Sequence, residues 1–265
     1  MHLQVLVATI NQYDDSIVNK MNIRCDSIVA NQTDRAEIKD ITINGFRHKI
    51  ISTKTRGVGV NRNIALLASD SDVVLFADDD VVYNDDVASR VIKAFEETPQ
   101  ADVIVFGMDM TKAGLVYEKR RCKNRKLHVW NSMRYGTCRI AARRESLLNS
   151  NIHFHQCFGG GCLFCSGEDS LFLKECFDKG LKVYSHEYVL GRCSKDNSTW
   201  FTGCDEKYFY DKGVLFRHLF PFAAYLMALY FGLRFKRKTD ISIIKRLSLI
   251  YSGVRNGKKM IPYKG

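Results

Sequence analysis

Three consecutive carboxylates, Asp78, Asp79 and Asp80, end a run of five mostly apolar residues, Val73 to Ala77. Acids crowded in this way repel one another, and keeping them ionised calls for a cation among them. Hard oxygen ligands suit Mg2+ or Mn2+, with a phosphate filling the remaining coordination. For the triplet taken alone, an acidic turn after an ordinary strand is the plain alternative. A second acidic pair, Glu168 and Asp169, opens a helical pattern just after the glycine-rich stretch Phe158 to Cys165. Carboxylates in a first helical turn complement the helix dipole; one of them could instead take a proton from a reacting group. Arg62, in GVGVNR, stands near the first turn of another helical pattern, where a diphosphate would be held. That segment has the first two glycines of a dinucleotide fingerprint but Arg62 in place of the third. It also follows the third or fourth strand and not the first, which argues against an NAD site. Cys157, Cys162 and Cys165 match the opening of an iron–sulfur ligand set, but beside a carboxylate motif they read better as thiols packed along a loop.

The elements that must position these groups alternate between strand and helix. Buried strands are predicted at Gln4 to Ile10, Asp26 to Ala30, Val73 to Ala77, Asp102 to Gly107 and Leu181 to Val189. Ile41 to Ile43 and His48 to Ser52 flank Asn44-Gly45, a hairpin signal. Helices are expected over Tyr13 to Met21, Gly57 to Ala68, Asp85 to Glu97 and Gly167 to Lys179, the last stopped by Gly180. Thr111 to Tyr135 is basic and aromatic with little periodicity, and Arg139 to Leu148 reads as strand then helix. Such alternation specifies an α/β fold, a mostly parallel sheet flanked by helices, with the acids at the carboxyl end of a strand where open sheets bind ligands.

The net charge of +11 is unevenly placed. Residues 1–110 carry 11 basic against 17 acidic side chains, residues 111–144 carry 11 against one, and residues 231–265 carry 10 against one. Two basic blocks point to anionic partners at two places. Leu219 to Leu233 has no charged residue and is shorter than the roughly 20 residues a spanning helix needs. Basic residues follow it at once, so it is expected to lie on an anionic membrane surface, with a buried helix or a dimer contact as the competing reading. Met1-His2 leads straight into an apolar run, so no export signal is expected. The nine irregularly spaced cysteines then read as reduced thiols. These features predict a cytoplasmic protein, peripheral on the inner face of the membrane.

Taken in order, the strand ending near Thr9 and Asn11, RGVGVNRNIALLAS, VVLFADDD and GEDSLFLKECFDKGLKVY resemble the family 2 glycosyltransferases of the GT-A fold. The resemblance covers roughly residues 3–192. It implies a GT-A domain over 1–212, with a donor-binding half at 1–110 and an acceptor-binding half at 111–212, and a basic helical region at 213–265. It implies an inverting, metal-dependent transfer from a nucleotide diphosphate sugar, most often a UDP-sugar, to a glycan or lipid-linked acceptor of the cell surface. Thr9, Asn11 and Asp34 would line the base, Arg62 would approach base or diphosphate, and Asp78 and Asp79 would lie by the donor. Asp80 would hold Mn2+ or Mg2+. Asp169 would be the general base with Glu168 beside it, and Gly160, Gly161 and Trp200 would contact the acceptor. The histidine that in the family often follows the last core strand has no counterpart in YVLGRCS; His186 comes too early. Two rivals remain. A sugar nucleotidyltransferase would need a glycine- and arginine-rich loop after the first strand, where this chain has TINQYDD. A basic nucleic-acid-binding protein would leave both acidic motifs unexplained, so nucleic acid is not expected as a partner.

Overall fold

The computed structural model describes residues 1–194, 203–235 and 239–263. In chain order the elements are β1 (Leu3–Ile10), α1 (Ser16–Lys20), β2 (Ser27–Gln32), β3 (Glu37–Ile43), β4 (Phe46–Thr53), α2 (Val58–Ala68), β5 (Val73–Asp78), β6 (Val81–Tyr83) and α3 (Val87–Glu97). There follow β7 (Val103–Lys112), β8 (Leu115–Arg120), β9 (Arg125–Lys126), α4 (Val129–Ser132), β10 (Ile140–Arg143), α5 (Arg144–Asn149), α6 (Glu168–Asp178) and β11 (Val183–Ser194). The chain ends in α7 (Glu206–Leu219), α8 (Ala224–Arg234) and α9 (Ile243–Gly257).

One sheet runs through the molecule in the order β3-β4-β2-β1-β5-β10-β7-β11-β6. β1 pairs in parallel with both β2 and β5, and helices cover both faces. Alternation along β5 shows the two-sided burial: Val73, Leu75 and Ala77 enter one core cluster with Val91 and Phe95 of α3. Val74 and Phe76 enter the other, with Leu66 of α2 and Phe172 of α6. The connections after β1 and after β4 run to opposite sides of β1, so the carboxyl ends of β1 and β5 flank the point where strand order reverses. A ligand crevice belongs there.

The sheet is α/β as expected but more mixed than its apolar strands suggest. β10 inserts antiparallel between β5 and β7, and β8 returns antiparallel along β7. The turn between β7 and β8 is only Ala113-Gly114, both at positive φ. A two-residue turn can join only antiparallel neighbours, because a parallel return needs a crossover. Part of the stretch expected to be irregular, Thr111 to Tyr135, is therefore sheet.

α7 crosses residue 212, where the sequence places a boundary. Its Val214, Leu215 and Leu219 pack with Phe158 and Phe164 of the glycine-rich loop, while Phe209 and Phe216 pack with Ile250 and Val254 of α9. α7 and α9 approach closely because Gly213 and Gly253 face each other. A Cβ on Gly213 would stand 2.0 Å from the Ile250 carbonyl oxygen.

Candidate active site

A cleft of about 590 Å3 opens at the carboxyl ends of β1 and β5. Its walls are the end of β1 (Thr9, Ile10), the first turns of α2 (Val58, Asn61, Arg62), the acidic triplet, and the loop leading into α6 (Cys165 to Asp169). The strand geometry explains the meeting. β1 and β5 run in register with Ala8 opposite Asp78, so Thr9 reaches across and its hydroxyl donates to Asp79 Oδ2 at 2.6 Å.

Arg62 holds the two acidic motifs together. Only 4% exposed, it lies 2.6 Å from Asp78 Oδ1, 3.2 Å from Glu168 Oε1 and 3.5 Å from Asp169 Oδ1. Burial alone would depress its pKa, but Asp78, Asp169 and Glu168 outweigh that and raise it. The guanidinium also sits 5.3 Å above the Phe154 ring, which stacks on Phe172 at 4.2 Å and meets Phe76 edge-on. A rigid aromatic floor under a buried cation fixes where the carboxylates must stand.

Asp169, in the first turn of α6, also accepts a hydrogen bond from the Thr137 hydroxyl. Its pKa is raised by burial and by Glu168, against the opposing pull of Arg62. Glu168 Oε2 accepts from its own Gly167 amide at 3.1 Å, so its carboxylate is turned back on the helix start. Gly159 is required beneath it: its φ is +107°, and a Cβ there would meet Glu168 at 2.8 Å. The loop is also held from outside. Asp211 of α7 accepts from the Cys165 amide at 2.9 Å, and Lys212 donates to the Ser166 hydroxyl at 3.0 Å.

Asp80 accepts from the Cys193 thiol at 3.4 Å, and burial together with Asp78 raises its pKa to about 7. Among the described residues no three or more His, Cys, Asp or Glu side chains form a ready cage for a metal. The donor set still fits Mg2+ or Mn2+, which are usually held by one or two carboxylates plus substrate phosphates. The triplet provides the carboxylates and the cleft provides the room.

The other expected site residues are less central. Gly160 lines the cleft and its carbonyl accepts from the Val58 amide at 2.9 Å, while Gly161 lies outside the lining. Asn11 and Asp34 are exposed and outside it too. Asn11 turns the chain at φ +51° and places Ile10 and Gln12 on the wall. Asp34 accepts from Thr33, and Gln32 faces the cleft in its place. Trp200 lies outside the described residues. His186 stands near Glu97, away from the cleft. Sequence reasoning missed Gln12, Lys20, Asn61 and Thr137, and it named Cys193 only as a distant fourth ligand for an iron–sulfur set. Cys193 had a signal, since it sits where the resemblance looks for a histidine. Thr137 had none, because only the fold brings it to Asp169.

The sequence model of "Glycosyl transferase family 2" matches residues 15–181. This chain belongs to that family. Solved structures agree on the fold. It is similar to S. aureus TarS 1–349 in complex with UDP-GlcNAc, with 14% identity and a TM-score of 0.61, over 98% of this chain and 73% of that one. The same TarS fragment in complex with UDP gives 15% identity and a TM-score of 0.61, over 98% and 72%. The longer S. aureus TarS structure gives 15% and 0.58, over 99% of this chain and 44% of that one. No curated protein matches the sequence. The α/β GT-A architecture of this family 2 glycosyltransferase is thus seen both in its strand order and in its neighbours.

Proposed function

We propose that this enzyme transfers a sugar from a UDP-sugar, with inversion, to a hydroxyl of a glycan or lipid-linked acceptor in cell-surface polysaccharide synthesis. The observation that carries this reading is the convergence of the triplet Asp78–Asp80, Arg62 and the pair Glu168–Asp169 on one cleft. Bound UDP-GlcNAc and UDP in the TarS structures support the choice of donor.

The arrangement of the cleft supports a division of labour among these residues. The donor's nucleoside lies along the ends of β1 and β5, over Thr9, Gln32 and Asp78. Asp80, with its neighbours, would hold Mn2+ or Mg2+, which would supply positive charge to balance the departing diphosphate. Asp169 accepts the proton of the acceptor hydroxyl, whose oxygen forms the new bond to the anomeric carbon as the bond to the diphosphate breaks. Attack from the side opposite the leaving group inverts the anomeric centre. Arg62 acts from below, holding Asp78, Glu168 and Asp169 in place. In this reading Arg62 is a positioning residue, where the resemblance suggested a donor contact. The protein is taken to work on the cytoplasmic face of the membrane, attached peripherally through its C-terminal region.

Incubation with a panel of UDP-sugars and glycan acceptors, with the product's anomeric configuration read by NMR, tests this. An inverted linkage formed only with Mn2+ or Mg2+ is expected. A retained configuration, or full transfer in excess chelator, would contradict it.

A further inference from the structure

α8 is built inside out for a helix in water. Its small residues Ala224, Ala228 and Gly232 are buried, Gly232 against Leu247 of α9. Met227 and Phe231 also pack inward, but Tyr225, Leu226, Leu229, Tyr230 and Leu233 form an exposed face, with Leu226 71% accessible. Just before it Phe222 is fully exposed, at 105%. The face does not end with the C-terminal helices. Trp130 of α4, itself 71% exposed, stacks flat on Phe220 at the end of α7, with ring centroids 5.4 Å apart and planes at 1°. An apolar surface of this extent marks an interaction site.

The charge around it says what covers it. At one end of α8 stands exposed Arg234, and the sequence continues through Lys236, Arg237 and Lys238. At the other end, His218 of α7 contacts the Gly257 carbonyl at 3.1 Å, and exposed Lys258 and Lys259 follow. Exposed Arg134 lies just beyond Trp130. From Leu219 to the end, Asp240 is the sole acidic residue in the sequence. Aromatic and leucine side chains with exposed cations such as Arg134, Arg234, Lys258 and Lys259 near their ends match the interface of an anionic bilayer.

We infer that Trp130, Phe222 and the outer face of α8 form one membrane-docking surface for anionic lipid, joining the acceptor half of the fold to the C-terminal helices. This rests on the transferase reading above and sharpens it, because the surface adjoins the site. A few residues beyond Trp130, the Met133 carbonyl accepts from Ser170 at 3.2 Å and Thr137 donates to Asp169. Docking by this face sets the proton-accepting carboxylate beside the lipid headgroups, where a lipid-linked acceptor would present its sugar.

Flotation of the full chain with phosphatidylcholine vesicles, with and without phosphatidylglycerol, provides the test. Binding should need the anionic lipid and weaken in high salt. Leu226→Ser with Leu233→Ser, and separately Trp130→Ser, should each lower partitioning at least tenfold while UDP binding stays unchanged. Equal flotation of wild type and the α8 variant would overturn the proposal. So would an unaffected Trp130→Ser, since the face would then not include α4. A dimer seen by analytical ultracentrifugation that the same variants dissociate, with no vesicle binding, would mean that a second copy covers the face. UDP binding, measured alongside, separates failure of this surface from failure of the donor assignment.

Discussion

Removing the Arg62 guanidinium would leave Asp78, Glu168 and Asp169 facing one another around a buried hole. Breaking a buried ion pair from one side costs about 3–5 kcal/mol, so urea unfolding of Arg62→Ala should show a loss of that order. Arg62→Met, of similar length but uncharged, should lose nearly as much if charge and not volume is what matters. Asp169→Asn separates binding from chemistry. General-base contributions run at about 100- to 10,000-fold, so single-turnover transfer should fall at least a hundredfold while UDP affinity survives; Glu168→Gln should cost less. Near-native turnover in Asp169→Asn would move the base elsewhere. Asp80 carries a pH signature. The unfolded chain releases this proton near the ordinary carboxylate value of 3.8, whereas burial and Asp78 hold it in the folded chain up to about 7. Between those values the folded state holds the extra proton, so this group makes stability fall as pH rises. Thermal melts should show a steeper decline from pH 4 to 7 in wild type than in Asp80→Asn, with Mn2+ restoring wild type near pH 7.

At the level of elements, what was legible in the sequence is what local chemistry dictates. Asn44-Gly45 announces its hairpin because both residues accept positive φ cheaply, at +53° and +84°. Ala113-Gly114 makes a similar turn with Ala113 at φ +49°, a conformation alanine rarely adopts, so β8 was invisible. The acidic triplet and Glu168-Asp169 were readable from composition and position, as was the helix that carries the pair. Their joining through Arg62 was not, because it depends on α2 and α6 crossing the same aromatic floor. Nor was the role of α7, whose Asp211 and Lys212 hold the loop before α6 from the far side. Two outcomes follow. A Cβ at Gly213 collides with the α9 backbone, so Gly213→Val should lower the melting temperature and weaken UDP binding together. Deleting residues 214–265 cuts α7 in half and should cost the donor site as well as any lipid binding; retention of UDP affinity in that truncation would separate the two.

For the molecule as a whole, charge and hydropathy divide the work. The acidic first 110 residues carry β1, β5 and the triplet, and the basic blocks lie in the later segments. No described helix is long and apolar enough to cross a membrane; the proposed lipid contact is made by the exposed face of α8 and by Trp130. The central claim is that the cleft is a metal-assisted nucleotide-sugar site, and calorimetric titration of UDP-sugars into wild type and Asp80→Asn, each with and without Mn2+, tests it most directly. At least one UDP-sugar should bind wild type with an affinity at least tenfold higher in Mn2+, and Asp80→Asn should lose that increment while remaining folded. Binding indifferent to both Mn2+ and Asp80, or no binding of any UDP-sugar, would contradict the account.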